Sequence, residues 1–223
     1  MFHEWQTGAT VQLGALLPNP NLYAVGALAD LAGEVTVVGG KAYLSYAEHG
    51  DATRTETMLR TDAAATLLVA SEVTAWRDVV IERAIRFEEL DQEVAALAAA
   101  AGMSLDARFP FLMVGEFRDL QWHVIDGRRL TAGKTSHQDH LGAAARARLD
   151  HASATLVGFY SKNDQGIFTH MGSKTHLHCV LGEPLSTGHV DHVIVPAGTT
   201  IQFPAVGNEP GSKPLQPPAS GGG

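Results

Sequence analysis

Two histidines separated by one residue, with a third histidine eleven residues later, constrain the fold of this chain more than any other feature. His176 and His178 flank Leu177, and successive side chains of a strand point to opposite faces, so the two imidazoles share a face. The segment from His178 to His189 starts apolar and has a Gly- and Pro-rich middle, which predicts a strand, a turn and a returning strand. A hairpin of this length would place His189 beside the first pair.

Three imidazoles on two paired strands predict an open metal site with one coordination position left for water or substrate. The alternative is that these histidines are exposed polar residues on one face of an antiparallel sheet. Asp191 alternates with His189 and could orient an imidazole by accepting a hydrogen bond. His170 and His192 are interpreted as surface or loop residues.

The histidines and their flanking residues resemble the α-acetolactate decarboxylase family. The family has a Gly-Phe strand, a Gly-Ile step, a His-Leu-His strand and a Gly-Gly-His-Val segment at the same eleven-residue interval. The matching pieces here are Val157-Gly158-Phe159, Gly166-Ile167, His176-Leu177-His178 and Thr187-Gly188-His189-Val190. A Gly-Glu segment before an apolar strand and turn, at residues 31–43, also matches, and the resemblance runs in order from Leu22 to Val195.

The resemblance implies a specific chemistry. The family's zinc ligands correspond to His176, His178 and His189, and a family glutamate near the metal corresponds to Glu34. The family converts α-acetolactate, a 2-hydroxy-3-oxo acid, into acetoin and carbon dioxide. Zinc would polarise the substrate carbonyl and stabilise the enediolate, and Glu34 would return a proton. The resemblance also implies a homodimer.

The chain departs from the family at two substrate-facing positions. His123 stands where the family has an arginine, and histidine lacks the bidentate, permanently charged group that arginine offers a carboxylate. Arg118 lies an odd number of residues away and could substitute only across a bulge. The family's second glutamate, near its C-terminus, is matched only by Glu209, the last acidic residue of the chain.

Composition narrows the class of protein and of partner. The net charge of −8 and the absence of a Lys/Arg cluster argue against binding to nucleic acid or to an anionic membrane. No segment has the pattern of a secretory signal or the ~20 apolar residues of a membrane span, so a cytoplasmic protein is expected. Cys179, the single cysteine, alternates with His178 and is predicted to be a core thiol.

The periodicities predict an α+β fold. Residues 1–127 would form an N-terminal mixed β-sheet with a packed helix at residues 86–101, and residues 128–150 a connecting segment with a short helix near residues 142–149. Residues 151–203 would form an antiparallel sheet or small barrel carrying the metal site, and residues 204–223 a flexible tail. Phe109–Gly115 and Leu120–Ile125 are predicted as separate strands, and Gly39-Gly40 as a hairpin turn.

These observations predict a zinc-dependent lyase that decarboxylates a 2-hydroxy-3-oxo acid or a related oxo acid. His176, His178 and His189 would hold zinc or another divalent transition metal, and Glu34, His123 and Glu209 would act on the substrate. One alternative is metal-dependent enolisation or isomerisation of another chelating substrate. The other is a non-catalytic relative that binds a metal or a small molecule.

Overall fold

The described part of the chain contains two six-stranded β-sheets and an α-helix that packs on one of them. The computed structural model describes residues 11–129, 142–164 and 172–205. The first sheet contains β1 (Val11–Gln12), β2 (Leu22–Leu28), β3 (Glu34–Val38), β4 (Lys41–Ala47), β5 (Thr53–Met58) and β6 (Ala64–Glu72). The second sheet contains β7 (Trp76–Val80), β8 (Phe109–Val124), β9 (Ala145–Tyr160), β10 (Thr175–Leu181), β11 (Ser186–Ile194) and β12 (Thr200–Pro204), and the helix α1 spans Leu90–Ala100.

The strands of the first sheet lie in the order β1-β6-β2-β3-β4-β5, and each described pairing is antiparallel. The predicted hairpin at Gly39-Gly40 is confirmed; both glycines have positive φ, at 55° and 75°, and join β3 to β4. The prediction that the N-terminal sheet is mixed is wrong, because its described strand pairs are all antiparallel. Short connections such as this turn can join only antiparallel neighbours, because a parallel pair needs a long crossover.

The second sheet has the order β11-β10-β9-β8-β12-β7, and β11 also pairs with β8, so the sheet returns on itself through β8, β9, β10 and β11. β8 and β9 are 16 residues each and pair along nearly their whole length. One prediction is therefore wrong, because β8 is one strand where two were expected. Of the helix predicted near residues 142–149, Gly142 and Ala143 are helical, but the residues from Ala145 onward are strand. Continuous pairing with β8 outweighs the helix propensity of the alanines in this segment.

The helix α1 packs on the second sheet. Its buried residues Leu90, Val94 and Ala98 belong to the same core cluster as Phe109 and Tyr160. The helix was predicted to start at Arg86, but the first turn, Phe87–Glu89, is a 3-10 helix. β7 and β8 come before the predicted connecting segment at residues 128–150, and β10 to β12 come after it. The second sheet therefore contains strands from both sides of that segment. Within the described ranges, no helix combines the length and apolarity needed to cross a membrane.

The two sheets face each other, and β3 shows how the site arises between them. Val35 and Val37 point into the apolar core of the first sheet. The alternate residues, Glu34 and Thr36, are also buried, and the contacts of Thr36 lie on the second sheet. Strand alternation therefore brings a carboxyl and a hydroxyl from the first sheet against the histidine-bearing strands of the second.

Candidate metal centre

The hairpin of β10 and β11 brings the three predicted histidines together. His178 lies directly opposite His189 in the strand register, and residues 182–185 form the turn. The three imidazoles are buried, and one ring nitrogen from each lies within 4.8 Å of the others. The predicted hairpin is confirmed, and its three imidazoles form a group that could hold a metal ion.

The proton positions around His178 follow from a chain of hydrogen bonds across the two sheets. The hydroxyl of Thr187 donates to the carbonyl oxygen of Cys179 at 2.6 Å, so its oxygen must accept from Thr36 at 2.9 Å. Thr36 has then used its only proton, and its oxygen must accept from Nδ1 of His178, also at 2.9 Å. His178 is therefore the Nδ1–H tautomer, which leaves the lone pair of Nε2 free to bind a metal.

One spacing within the cluster is close to that of a tetrahedral divalent metal, and all three ring nitrogens lie within 4.8 Å of one another. Nε2 of His176 and Nε2 of His178 are 3.1 Å apart. Two nitrogen ligands of tetrahedral zinc, each about 2.0–2.1 Å from the ion, are roughly 3.3 Å apart. Burial lowers the pKa of His178 well below its ordinary value, and the charges of His176 and His123 act in the same direction. His178 is thus in the neutral form that a metal ligand requires.

Helix α1 anchors the start of the strand that carries two of these histidines. The carboxylate of Asp91 accepts hydrogen bonds from the backbone N–H of Lys174 and the hydroxyl of Thr175, both at 2.7 Å. These bonds fix β10 immediately before His176, so the helix orients the site without contributing a group to it.

Glu34 lies against the histidine cluster from the first sheet. Its Oε2 is 3.8 Å from Nε2 of His178, and its Oε1 accepts a hydrogen bond from the backbone N–H of Ile125 at 3.3 Å. Burial raises the pKa of Glu34 to about 7, although His123 and the Ile125 N–H oppose this. The carboxyl is therefore divided between its protonated and ionised forms near neutral pH, as a group that both gives and takes a proton requires.

His123 lies beside His189 in the strand register and is paired with Asp191. Nδ1 of His123 donates to the Asp191 carboxylate at 2.8 Å, and the rings of His123 and His189 have centroids 5.0 Å apart. Burial lowers the pKa of His123, but Asp191 and Glu34 outweigh that effect and raise it above its ordinary value. Asp191 thus orients an imidazole as predicted, and that imidazole is His123.

The remaining predicted residues either belong to segments that the structure does not describe or lie away from this cluster. Glu209, His170 and the Gly166-Ile167 step lie outside the described residues. Arg118 is exposed and lies opposite His151 and Ile194. Cys179 is fully buried on the face opposite the histidines, in the core of the second sheet, and burial raises its pKa.

Sequence reasoning missed Thr36 and Thr187, the two hydroxyls that set the tautomer of His178. Threonine is an ordinary strand residue, and neither position stands out by composition or spacing. The one available signal was alternation: Thr36 lies two residues after Glu34, so the two share a strand face.

Two solved structures have the same fold as this chain. The chain matches an acetolactate decarboxylase from Bacillus subtilis subspecies spizizenii with a TM-score of 0.66 and 15% identity, covering 89% of this chain and 79% of that one. It matches a Staphylococcus aureus protein described as of unknown function and similar to α-acetolactate decarboxylase, with a TM-score of 0.65 and 16% identity, covering 89% and 78%. No curated protein matches the sequence.

The fold and the site define a two-sheet β protein with a buried three-histidine centre. The sequence matches the profile of the α-acetolactate decarboxylase family over residues 9–208. The chain therefore belongs to the α-acetolactate decarboxylase family.

Proposed function

We propose that the chain is a zinc-dependent lyase that decarboxylates a 2-hydroxy-3-oxo acid or a closely related oxo acid. The observation that carries this proposal is the convergence of three buried imidazoles with a buried carboxyl from the facing sheet. His176, His178 and His189 would hold the metal, which supplies Lewis-acid polarisation of the substrate oxygens when bound.

The other residues have separate roles. Glu34 would hold a proton close to the reacting carbon and deliver it after carbon dioxide has left. His123 donates its Nδ1–H to Asp191, so in its imidazolium form, which its raised pKa favours, it would present Nε2–H to a substrate oxygen. Burial of both groups keeps bulk water from competing for these positions. Glu209 is retained as a candidate second carboxylate by family resemblance alone. A cytoplasmic location and a homodimer remain parts of the proposal.

The test measures metal content and carbon dioxide release from racemic α-acetolactate. Wild type is expected to hold one zinc per chain and to release carbon dioxide, and His178→Ala is expected to lose both. His49→Ala is the matched control, because His49 is exposed in a turn of the first sheet. A His178→Ala variant that keeps full metal content would contradict the assignment of ligands.

Glu34→Gln separates metal binding from proton transfer. The amide keeps the size of the side chain but cannot give up a proton as the acid does. We expect metal content to be unchanged and carbon dioxide release to fall by about 10²–10⁴-fold, the usual contribution of general acid–base catalysis. Unchanged turnover would exclude Glu34 as the proton donor.

A second candidate function is metal-dependent enolisation or isomerisation of another chelating substrate. The pairing of His123 with Asp191, close to Glu34, favours it, because two groups that can give or take a proton near one substrate suit reversible proton transfer. Exchange of substrate protons with deuterium oxide, without loss of carbon dioxide, would identify this reaction. The absence of both reactions over a range of oxo acids would favour the third hypothesis, a non-catalytic binding protein.

A further inference from the structure

The five residues that follow β8, which we call the corner segment (residues 125–129), contact the first sheet next to Glu34. The backbone N–H of Ile125 donates to Oε1 of Glu34 at 3.3 Å. Gly127 lies so close to the loop before Glu34 that an added Cβ would be 2.2 Å from the carbonyl oxygen of Asp30. The corner segment therefore contacts both the carboxyl of Glu34 and the backbone that leads to it.

The side chain of Asp126 fixes the conformation of the corner segment. This carboxylate is buried, and its Oδ1 accepts hydrogen bonds from the backbone N–H of Arg128 at 3.1 Å and from Nε of Arg128 at 2.7 Å. Its Oδ2 lies 3.2 Å from Nε of Arg129. Hydrogen bonds between charged groups are stronger than neutral ones, so loss of this carboxylate should loosen the segment directly after Ile125.

The same two arginines attach the corner segment to the first sheet. Arg128 donates to the carbonyl oxygen of Ala47, the last residue of β4, at 3.1 Å. Arg129 donates to the carbonyl oxygen of Glu48, the next residue along the chain. Because β4 pairs with β3, which begins at Glu34, these bonds join the corner segment to the strand beside Glu34.

We propose that Asp126 is a positioning residue that holds the carboxyl of Glu34 beside the histidine cluster through the N–H of Ile125. Its consequence for catalysis rests on the proposed function, because it assumes that Glu34 delivers a proton at this site. A displacement of about 1 Å in a reacting group can lower a rate by about 10²-fold. A small rotation of the Glu34 carboxyl should therefore slow proton transfer without removing the metal.

The first measurement follows the hydrogen bond between Ile125 and Glu34 in the zinc-loaded protein. Hydrogen–deuterium exchange of the Ile125 amide, recorded by NMR spectroscopy, measures how often this bond opens. Exchange should be about tenfold faster or more in Glu34→Ala, which removes the acceptor. Asp126→Ala should accelerate it similarly although Glu34 is still present. Asp126→Asn should have a smaller effect, because the amide oxygen of asparagine can still accept from the N–H of Arg128.

Asp164→Ala is the matched control for Asp126→Ala. Asp164 is also a buried carboxylate that accepts hydrogen bonds from an arginine, Arg108. It follows the end of β9 that pairs with the start of β8, whereas Asp126 follows the end of β8. The control should lower the free energy of unfolding and leave the exchange of the Ile125 amide unchanged.

Gly127→Ala is a second variant that moves the corner segment without changing a charge. The added Cβ cannot fit against the carbonyl oxygen of Asp30, so the corner segment or the loop before Glu34 must shift. Exchange of the Ile125 amide should again be faster, although Asp126 and its hydrogen bonds are retained.

The second measurement determines kcat and KM for carbon dioxide release from racemic α-acetolactate, with zinc content determined for each variant. Asp126→Ala and Gly127→Ala should lower kcat by about 10–100-fold, with KM and zinc content close to wild type. Asp164→Ala should keep the wild-type kcat. Loss of kcat alone is the result expected when a proton donor is misplaced and the metal site is intact.

Wild-type exchange of the Ile125 amide in Asp126→Ala would overturn the inference. Equally fast exchange in Asp164→Ala would also overturn it, because the effect would then come from a general loss of stability. Fast exchange with an unchanged kcat would show that Asp126 has no part in the reaction, and would overturn its role as a positioning residue. If zinc-loaded wild type releases no carbon dioxide, the proposed function fails, whereas faster exchange in Asp126→Ala would still support the placement of Glu34.

Discussion

Replacing Thr36 by valine tests the hydrogen-bond chain that assigns the proton on His178. Valine has nearly the shape of threonine, so the change removes a hydroxyl and leaves the packing of β3 almost intact. In wild type that hydroxyl accepts from Nδ1 of His178 and donates to Thr187, at 2.9 Å in each case. The variant leaves the Nδ1–H of a fully buried imidazole without this acceptor.

The expected magnitude follows from these two bonds. A buried polar group left unsatisfied costs about 1–3 kcal/mol, so the free energy of unfolding of the metal-free protein should fall by roughly that amount. The effect on metal binding should be of similar size, because loss of the partner that orients a ligating histidine typically costs about 10–100-fold in metal affinity, which is about 1.4–2.7 kcal/mol. Without Thr36, His178 can also adopt the tautomer with its proton on Nε2, which must be lost before a metal binds.

Thr36→Ser is the matched control. Serine keeps the hydroxyl and loses one buried methyl, which costs roughly 1 kcal/mol of stability. Stability alone would therefore not separate the two variants, whereas zinc affinity does. Competition with a chromophoric chelator should give a wild-type Kd for Thr36→Ser and a Kd about 10–100-fold weaker for Thr36→Val. A Thr36→Val variant that binds zinc as tightly as wild type would refute the proton assignment.

Two further predictions concern stability. Gly158→Ala should lower the free energy of unfolding by about 1–3 kcal/mol, because the added Cβ would lie 2.1 Å from the ring of Phe111, which is buried in the core. Urea unfolding measures this change. Gly182→Ala is the neutral control, because a Cβ at Gly182 would point into open space. Asp126→Asn should lose stability that depends on pH. The hydrogen bond from Arg128 holds the pKa of Asp126 below its ordinary value. The stabilisation by ionised Asp126 is therefore present above the unfolded-state pKa of about 4 and is lost as the pH falls through the lower folded-state pKa. The difference in the free energy of unfolding between wild type and variant should narrow between pH 6 and pH 3. A difference that stays constant over this range would contradict the prediction.

The histidine cluster could be predicted from the sequence because its geometry is local. Alternation places His176 and His178 on one face, and a short Gly- and Pro-containing turn leaves few registers for the return strand. The position of Asp191 on the face of His189 follows from the same alternation. Its partner could not be predicted in this way, because His123 lies on a strand 68 residues earlier in the chain.

The segment that contains Arg146 shows where local patterns fail. Its alanines and charged residues favour a helix, and a helix was predicted near residues 142–149. Pairing with β8 decides the outcome, since His123 lies opposite Arg146 and Val124 opposite Ala145. A long-range pairing of this kind leaves no periodic signal in a short alanine-rich segment. The sequence alone therefore places Arg146 in a connecting segment.

The centre also depends on a contact between sheets that no local pattern encodes. Glu34 was singled out only by the family resemblance, and Thr36 by nothing, yet both meet His178 across the interface of the two sheets. The hydrogen-bond chain that starts at Thr36 ends on the backbone carbonyl of Cys179. A backbone carbonyl only accepts hydrogen bonds, whichever side chain the residue carries. That fixed acceptor sets the direction of each proton back to Nδ1 of His178. A strand of the first sheet therefore determines which nitrogen of a proposed ligand in the second sheet would face a bound metal.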